Sequence, residues 1–374
     1  MTRISVTRVR EMVKKEFRQL LRDVRTRAVI FAAPLVQLVI FGYAVNTDVR
    51  DTKTIVIDHD HTATSRQLLD VLQASGYFAI YERSDRSADL VRAMDGGKVL
   101  VGVEIPSGFS ADLAVGKASL QIVIDGTHSN TATIALGYAQ RIVQRYAMER
   151  AAALGALPSG GIDLRVRSWY NPNLESRVYN VPGVIAVIVM MMCLLLTALA
   201  VVRERELGTL DQLMVSPLTP EELMLGKTLP VAVVGVVDLV LISLVARLWF
   251  HIPIRGSALV LFPAAVLYIV AGLAVGLLIS TISHTQQEAF MSMFLFLQPA
   301  IILSGFFYPI SSMPRVFRWL TMVNPVRHFL EVVRGVFLKA EGFTGLWLQY
   351  LVLAVMAAGV LRFAMVRFPK SMRS

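Results

Sequence analysis

Six stretches of the chain are almost free of charge, and they set its expected architecture. Residues 28–45, 181–202, 228–250, 257–283, 289–310 and 345–361 are apolar runs. Each approaches or exceeds the roughly 20 residues that a helix needs to cross a bilayer. The pattern changes between the first two. Within residues 46–180, short β-rich runs at 54–58, 77–81, 99–105 and 120–124 alternate with helical patterns at 65–75, 87–95 and 131–153. Strands alternating with helices predict a packed sheet of mixed α/β type. The fold class expected is therefore a polytopic α-helical membrane protein of six transmembrane helices, with an inserted extracytoplasmic mixed α/β domain.

Composition supports this reading and removes others. Of 374 residues, 55% are apolar and only 17% charged, against about 25% charged in soluble domains. Soluble and disordered chains are excluded on that balance. A lone cysteine, Cys193, leaves no internal disulfide or Cys-cluster metal site. The net charge of +10 does not point to nucleic acid, because residues 46–180 are near neutral with 14 Lys/Arg and 15 Asp/Glu.

The basic excess instead flanks the spans. Residues 1–27 hold nine Lys/Arg and three acids, with Val6, Val9, Val13, Phe17 and Leu20 at roughly helical spacing. Either an amphipathic interface helix or a simple positive-inside anchor explains this, and both place the N-terminus in the cytoplasm. The first apolar run is expected to be a permanent helix rather than a cleaved leader. Six spans return the basic tail 362–374 to the same side, along with the segment 203–227. Residues 311–344 dissent, with five Lys/Arg on the outer side. Helical spacing over 315–338 and partial re-entry into the membrane would account for them.

Candidate chemistry is sparse. Asp58, His59, Asp60 and His61 form a D-H-D-H cluster, but one placed directly after a strand, where a polar turn is expected; no metal site is assigned. Gly226-Lys227-Thr228 looks like the end of a phosphate-binding loop, yet Glu221 stands where the earlier glycine is needed. Asp238 is the single acid well inside a span: a pathway group, a proton relay, or an acid holding helices together. Gln37 and Gln298 are expected to make interhelical hydrogen bonds. Gly272 and Gly276 permit close helix approach, while Met190–Met192 and Phe290–Phe296 either line an apolar path or, as is commoner for such residues, face lipid.

The segment 203–227, RERELGTLDQLMVSPLTPEELMLGK, is the most informative. Four charges stop the second span, Pro217 and Pro220 force a turn, and Thr219 with Glu222 fits a capping box. Two short helices with exposed Leu and Met are expected to project from the membrane, as a connector or as a docking element for another protein.

Together with VGVEIPSGFSADL (101–113), IVIDGTHSNTA (122–132), WYNPNLESRVYNVPGVIAVI (169–188), SGFFYPISSMP (304–314) and NPVRHFLEVVRG (324–335), this segment resembles the permease subunits of ABC-2 exporters. The likeness is to the branch with a large extracytoplasmic domain between the first two spans, and covers essentially the whole chain. It implies a multi-pass inner-membrane permease that dimerises with a second copy or a paralogue, and binds cytoplasmic ABC ATPase subunits. No cofactor is expected in this chain; ATP and Mg would sit on the partner. The motif positions that match are Arg203, Glu204, Arg205, Glu206, Gly208, Thr209, Asp211, Pro217, Glu221 and Lys227, with a mechanical coupling role implied for each. Asp211 departs mildly, the family often having Glu there. The outer domain is left an adaptor-binding role, toward a periplasmic partner, or a substrate-receiving one. Exported molecules would be amphiphilic drugs or lipids. Two other classes stay open: a proton-driven carrier using Asp238, and a membrane-anchored sensor.

Overall fold

A computed structural model describes residues 5–44, 51–125, 129–153, 175–209 and 218–371. The chain divides into two compact units, residues 1–46 with 168–374, and residues 47–167.

The smaller unit is built on four strands, β1 (Thr52–Asp58), β2 (Phe78–Ser84), β3 (Val101–Ile105) and β4 (Gln121–Ile124), in the order β2-β1-β3-β4. β1 pairs in parallel with both β2 and β3, and β4 closes the edge antiparallel to β3. Successive strand residues face opposite ways, so Val56 joins one core while Ile55 and Ile57 join another. The first core is covered by helices from Ala63–Ala74, Phe109–Ala114 and Ser129–Ala153, the second by Ser87–Asp95. The order reverses direction after β2, and right-handed crossovers then place the two connecting helices on opposite faces. The D-H-D-H residues form the turn after β1. Asp58 accepts from the Asp60 and His61 amides and from Ser65 Oγ, while Asp60 accepts from the Gly108 and Ser110 amides. Both carboxylates are thus committed to shaping the turn.

The larger unit begins with α1 (Val6–Arg22) and α2 (Val24–Arg27), continues through a π-helical turn (Ala28–Ala32), and enters α3 (Ala33–Ala44). After the four helices of the sheet unit come α8 (Ser176–Glu206), α9 (Pro220–Leu248), α10 (Ala258–Ile282), α11 (Gln286–Ile302), α12 (Arg315–Thr321), α13 (Pro325–Arg334) and α14 (Phe343–Ser371). Among the described residues, four helices, α8, α9, α10 and α14, are long and apolar enough to cross a membrane, and Ala28–Ala44 is a shorter apolar one.

Helix α8 is apolar nearly all round, the signature of a central helix, and α3, α9, α10, α11 and α13 pack against it. The approach of α10 to α8 is glycine-mediated. A Cβ on Gly276 would lie 2.8 Å from Thr197 Cβ and 3.2 Å from the Leu194 carbonyl, and one on Gly272 would lie 3.0 Å from Met190 Sδ. Tyr268 of α10 donates to the Ala186 carbonyl at 2.8 Å and stacks on Phe329 of α13.

Several expectations are corrected. The separate short helix expected at Pro220 is the start of α9, which runs on for 29 residues; Leu223 and Met224 are buried rather than exposed. Gly226 does not interrupt it; its bare Cα instead lets Met12 of α1 sit 2.4 Å from where a Cβ would be. The fifth helix stops at Ile302 rather than 310, capped into a turn at Ser304-Gly305. The segment 315–338 is two helices of different character. Trp319 and Val323, on and just after α12, are 70% exposed, whereas Val326, Phe329, Val332 and Val333 of α13 are fully buried. Residues 362–371 are not a loose tail but the last turns of α14, with Ala364 and Phe368 buried. Met190 and Met192 are buried core residues rather than lipid-facing ones; Phe290 and Phe294 are exposed.

Candidate functional site at the charged helix ends

The apolar run of α8 ends in Arg203-Glu204-Arg205-Glu206, and α9 begins 14 residues later at Pro220. Thr219 caps α9: its Oγ1 accepts from the Glu222 amide at 3.3 Å, and its own amide donates to the Glu222 carboxylate at 3.0 Å. This reciprocal pair fixes where the helix starts. Glu222 does more than cap. Its other oxygen accepts from the Ser5 amide at 2.7 Å and from Arg8 Nη2 at 2.8 Å, and its side chain is fully buried. One carboxylate therefore ties the first turn of α9 to the first turn of α1.

Five residues on, Lys227 makes a second tie. Its ammonium lies 3.2 Å from Glu16 of α1, 2.9 Å from Glu204 of α8 and 3.1 Å from the Ala200 carbonyl, with the side chain only 2% exposed. Lys15 approaches Glu204 at 3.7 Å and Glu16 at 4.0 Å. Two acids and two bases compensate one another. Isolated buried charges are costly, and paired, hydrogen-bonded ones are tolerated.

A third tie fastens the end of α8 to the α10–α11 turn. Arg205 donates to the Ser283 carbonyl at 2.8 Å; Glu206 accepts from the Gln286 amide at 2.7 Å and from the Gln286 side chain. Beneath these polar ties, Met12, Val201, Leu223, Met224, Leu277, Ala364 and Phe368 form one apolar cluster. The starts of α1 and α9 and the ends of α8, α10 and α14 thus meet in a single junction.

The motif residues divide within it. Glu204 and Lys227 are buried locks. Arg205 and Glu206 are clamps, and Thr209 Oγ1 donates to the Glu204 carboxylate at 3.0 Å. Gly208 adopts a left-handed φ of +68° as the helix turns away. Arg203, Glu206, Leu207 and Glu221 are exposed on the rim. Asp211 and Pro217 lie outside the described residues. Arg8, Met12, Lys15, Glu16 and, beyond its capping role, Glu222 were missed as junction residues. The available signal was an acid, Glu16, four positions from Met12 on a helix otherwise rich in bases, and a lysine, Lys227, at the edge of an apolar run.

The intramembrane polar residues do not converge. Asp238 is 1% exposed, and neither carboxylate oxygen has a hydrogen-bond partner among the described residues. Gln37 donates weakly to Met191 Sδ at 3.9 Å, an interhelical contact of the expected kind. Gln298 instead lies on an exposed face of α11.

Long apolar helices around a buried central one, with their charged ends locked in a junction, define a multi-pass membrane protein. The particular family follows from comparison. Residues 25–366 match the ABC-2 family transporter protein family, and the chain belongs to it. It is similar to the probable multidrug ABC transporter permease YbhR of Escherichia coli (strain K12), 34% identical over 359 residues covering 95% of this chain and 97% of the relative. It is also similar to the probable multidrug ABC transporter permease YbhS of the same organism, 34% identical over 344 residues and 90% of each chain. The inner membrane transport permease YhhJ of that strain is 29% identical over 282 residues, 74% of this chain and 75% of the relative. The chain is a permease subunit of an ABC transporter.

Proposed function

We propose that the chain is the membrane half of an ATP-driven exporter, moving amphiphilic small molecules, drugs or lipids, out of the cytoplasm or inner leaflet. ATP, with Mg, is hydrolysed on separate cytoplasmic ABC ATPase subunits, and this chain supplies the path and the mechanical coupling. The chain lies in the inner membrane with both termini cytoplasmic, crosses it six times, and carries residues 46–180 on the outer side, where a periplasmic adaptor can dock. It works as a dimer with a second copy or a paralogous permease.

The observation that carries this reading is the junction. An ATPase pressing on its exposed rim, at Leu207 and Glu221, would move α1, α8, α9, α10 and α14 together, because Glu222 and Lys227 lock α1, α8 and α9 to one another and the apolar cluster beneath joins α10 and α14 to them. Rigid-body transmission of this kind needs no bond-making by the permease. The names of the 34%-identical relatives support multidrug cargo. Proton-driven transport through Asp238 has less support, because its carboxylate is enclosed.

The test is to purify the tagged chain from native membranes and assay bound ATPase activity. Wild type is expected to bring down an ATPase, and Leu207→Asp with Glu221→Lys to lose it while remaining monodisperse. Intact wild-type protein without an ATPase would contradict the proposal.

A further inference from the structure

A cavity of about 620 Å³ opens beside the junction, walled by α1, the π-helical turn, α8 and the start of α9. Its two halves differ in chemistry. Leu195, Leu196 and Leu199 of α8, with Leu20 and Val29, make one half apolar. At the other, Lys15, Arg203 and Lys227 face Glu16 and Glu204, three cations against two anions. Lys227 and Lys15 account for the two carboxylates at 2.9–4.0 Å. Arg203 is then left exposed, with no side-chain partner among the described residues. The volume falls in the range of small-molecule sites, about 300–1,000 Å³.

We propose that this cavity binds an amphiphile with an anionic headgroup, the head on Arg203 and the chain along Leu195, Leu196 and Leu199. A guanidinium is suited to phosphate or carboxylate recognition. Polar and apolar halves follow each other along α8, whose charges begin at residue 203 where its apolar run ends, so the ligand keeps the orientation that it has in a leaflet. The neighbouring Glu16–Lys227–Glu204 lock makes the back wall, and binding and junction geometry are therefore linked. The site stands on this geometry; only its role as a loading point for cargo rests on the exporter reading.

The experiment uses the full chain in phosphatidylcholine nanodiscs without any ATPase, so that its failure is distinguishable from failure of the exporter reading. A dodecyl phosphate bearing a chain-end diazirine is photolysed and the labelled peptides are mapped. Labelling is expected on the α8 segment 195–200 and near Val29. Unlabelled dodecyl phosphate should compete at about tenfold lower concentration than dodecylphosphocholine, and inorganic phosphate should not compete. Phosphatidylglycerol added to the nanodisc should also compete, and would identify a membrane lipid as an occupant of the same site. Arg203→Gln should weaken labelling about fivefold or more, corresponding to one charge-assisted contact. Leu199→Trp, which fills the apolar half, should abolish it. The proposal is overturned by labelling confined to outward residues such as Val240 and Leu295, by full competition from inorganic phosphate, or by undiminished labelling in both variants. Gel filtration and thermal melting of each variant confirm that the protein is folded when compared.

Discussion

Midway along α8 the bundle is held by close apolar approach, whereas at the C-terminal end of the same helix it is held by charge. At the middle, Gly272 and Gly276 bring α10 onto Met190 and Thr197 with no room for a methyl group at Gly276. At the end, Lys227 joins Glu16 and Glu204, and Glu222 joins Arg8 and the Ser5 amide. A close-packed seam resists change because any displacement loses contacts or creates overlap. A charged junction is specific in a different way. It fixes which elements meet, because each charge is satisfied only by its particular partners. The seam suits a rigid lever and the junction suits its handle, which is the arrangement that the exporter reading requires.

The sharpest way to break this contrast is to remove one charge from the lock. Lys227→Met leaves two buried carboxylates with only the half-exposed Lys15 to balance them and should lower stability by about 3–5 kcal/mol, read from denaturant unfolding in detergent. Adding Glu16→Leu and Glu204→Leu should recover most of that loss, since an apolar replacement of a whole buried cluster is often neutral. If the single variant is as stable as wild type, the junction is not held by charge. Next in size, Gly276→Leu should cost about 1–3 kcal/mol or more by overpacking, measured in the same way. Gly272→Ala should cost less than Gly276→Ala, because its nearest neighbour is the flexible Met190 thioether rather than a β-branched side chain and a backbone carbonyl. Equal effects at the two glycines would mean that the seam relaxes freely. Thr219→Ala removes the cap of α9 and should cost about 1 kcal/mol. Smallest of all, Glu206→Gln replaces a charge-assisted, exposed clamp on Gln286 by a neutral one, giving a slight fall in melting temperature.

The long helices were legible in the sequence because lipid-facing and buried apolar residues both read as uncharged runs. The sheet unit was legible because its strands and helices differ in period, and all four expected strands occur within a few residues of their places. The continuity of α9 was not legible. Gly226-Lys227 looks like a break only when read alone; in the fold, the glycine is a contact point for Met12, and the charge of Lys227 is balanced by residues 211 and 23 positions away. The C-terminal turns of α14 were obscured for a similar reason. Arg362 and Arg367 suggest a solvated tail, while Ala364 and Phe368 between them carry the buried face. Of the site itself, the 203–227 motif was visible, but which of its charges are locks and which are rim depends on α1, nearly 200 residues earlier.

The most direct test of the central claim is a photocrosslinking comparison in native membranes. A cysteine-linked benzophenone is placed at Glu221 or Leu207 on the junction rim, or at Tyr308 as a control. Tyr308 is 64% exposed and follows Phe306, which packs on Gly183 near the opposite end of α8. The single native cysteine, Cys193, is buried and leaves a quiet background. The account predicts an adduct with an ATP-binding subunit from Glu221→Cys and Leu207→Cys, and none from Tyr308→Cys. Adducts of equal yield from all three positions, or none from either rim position, would contradict it.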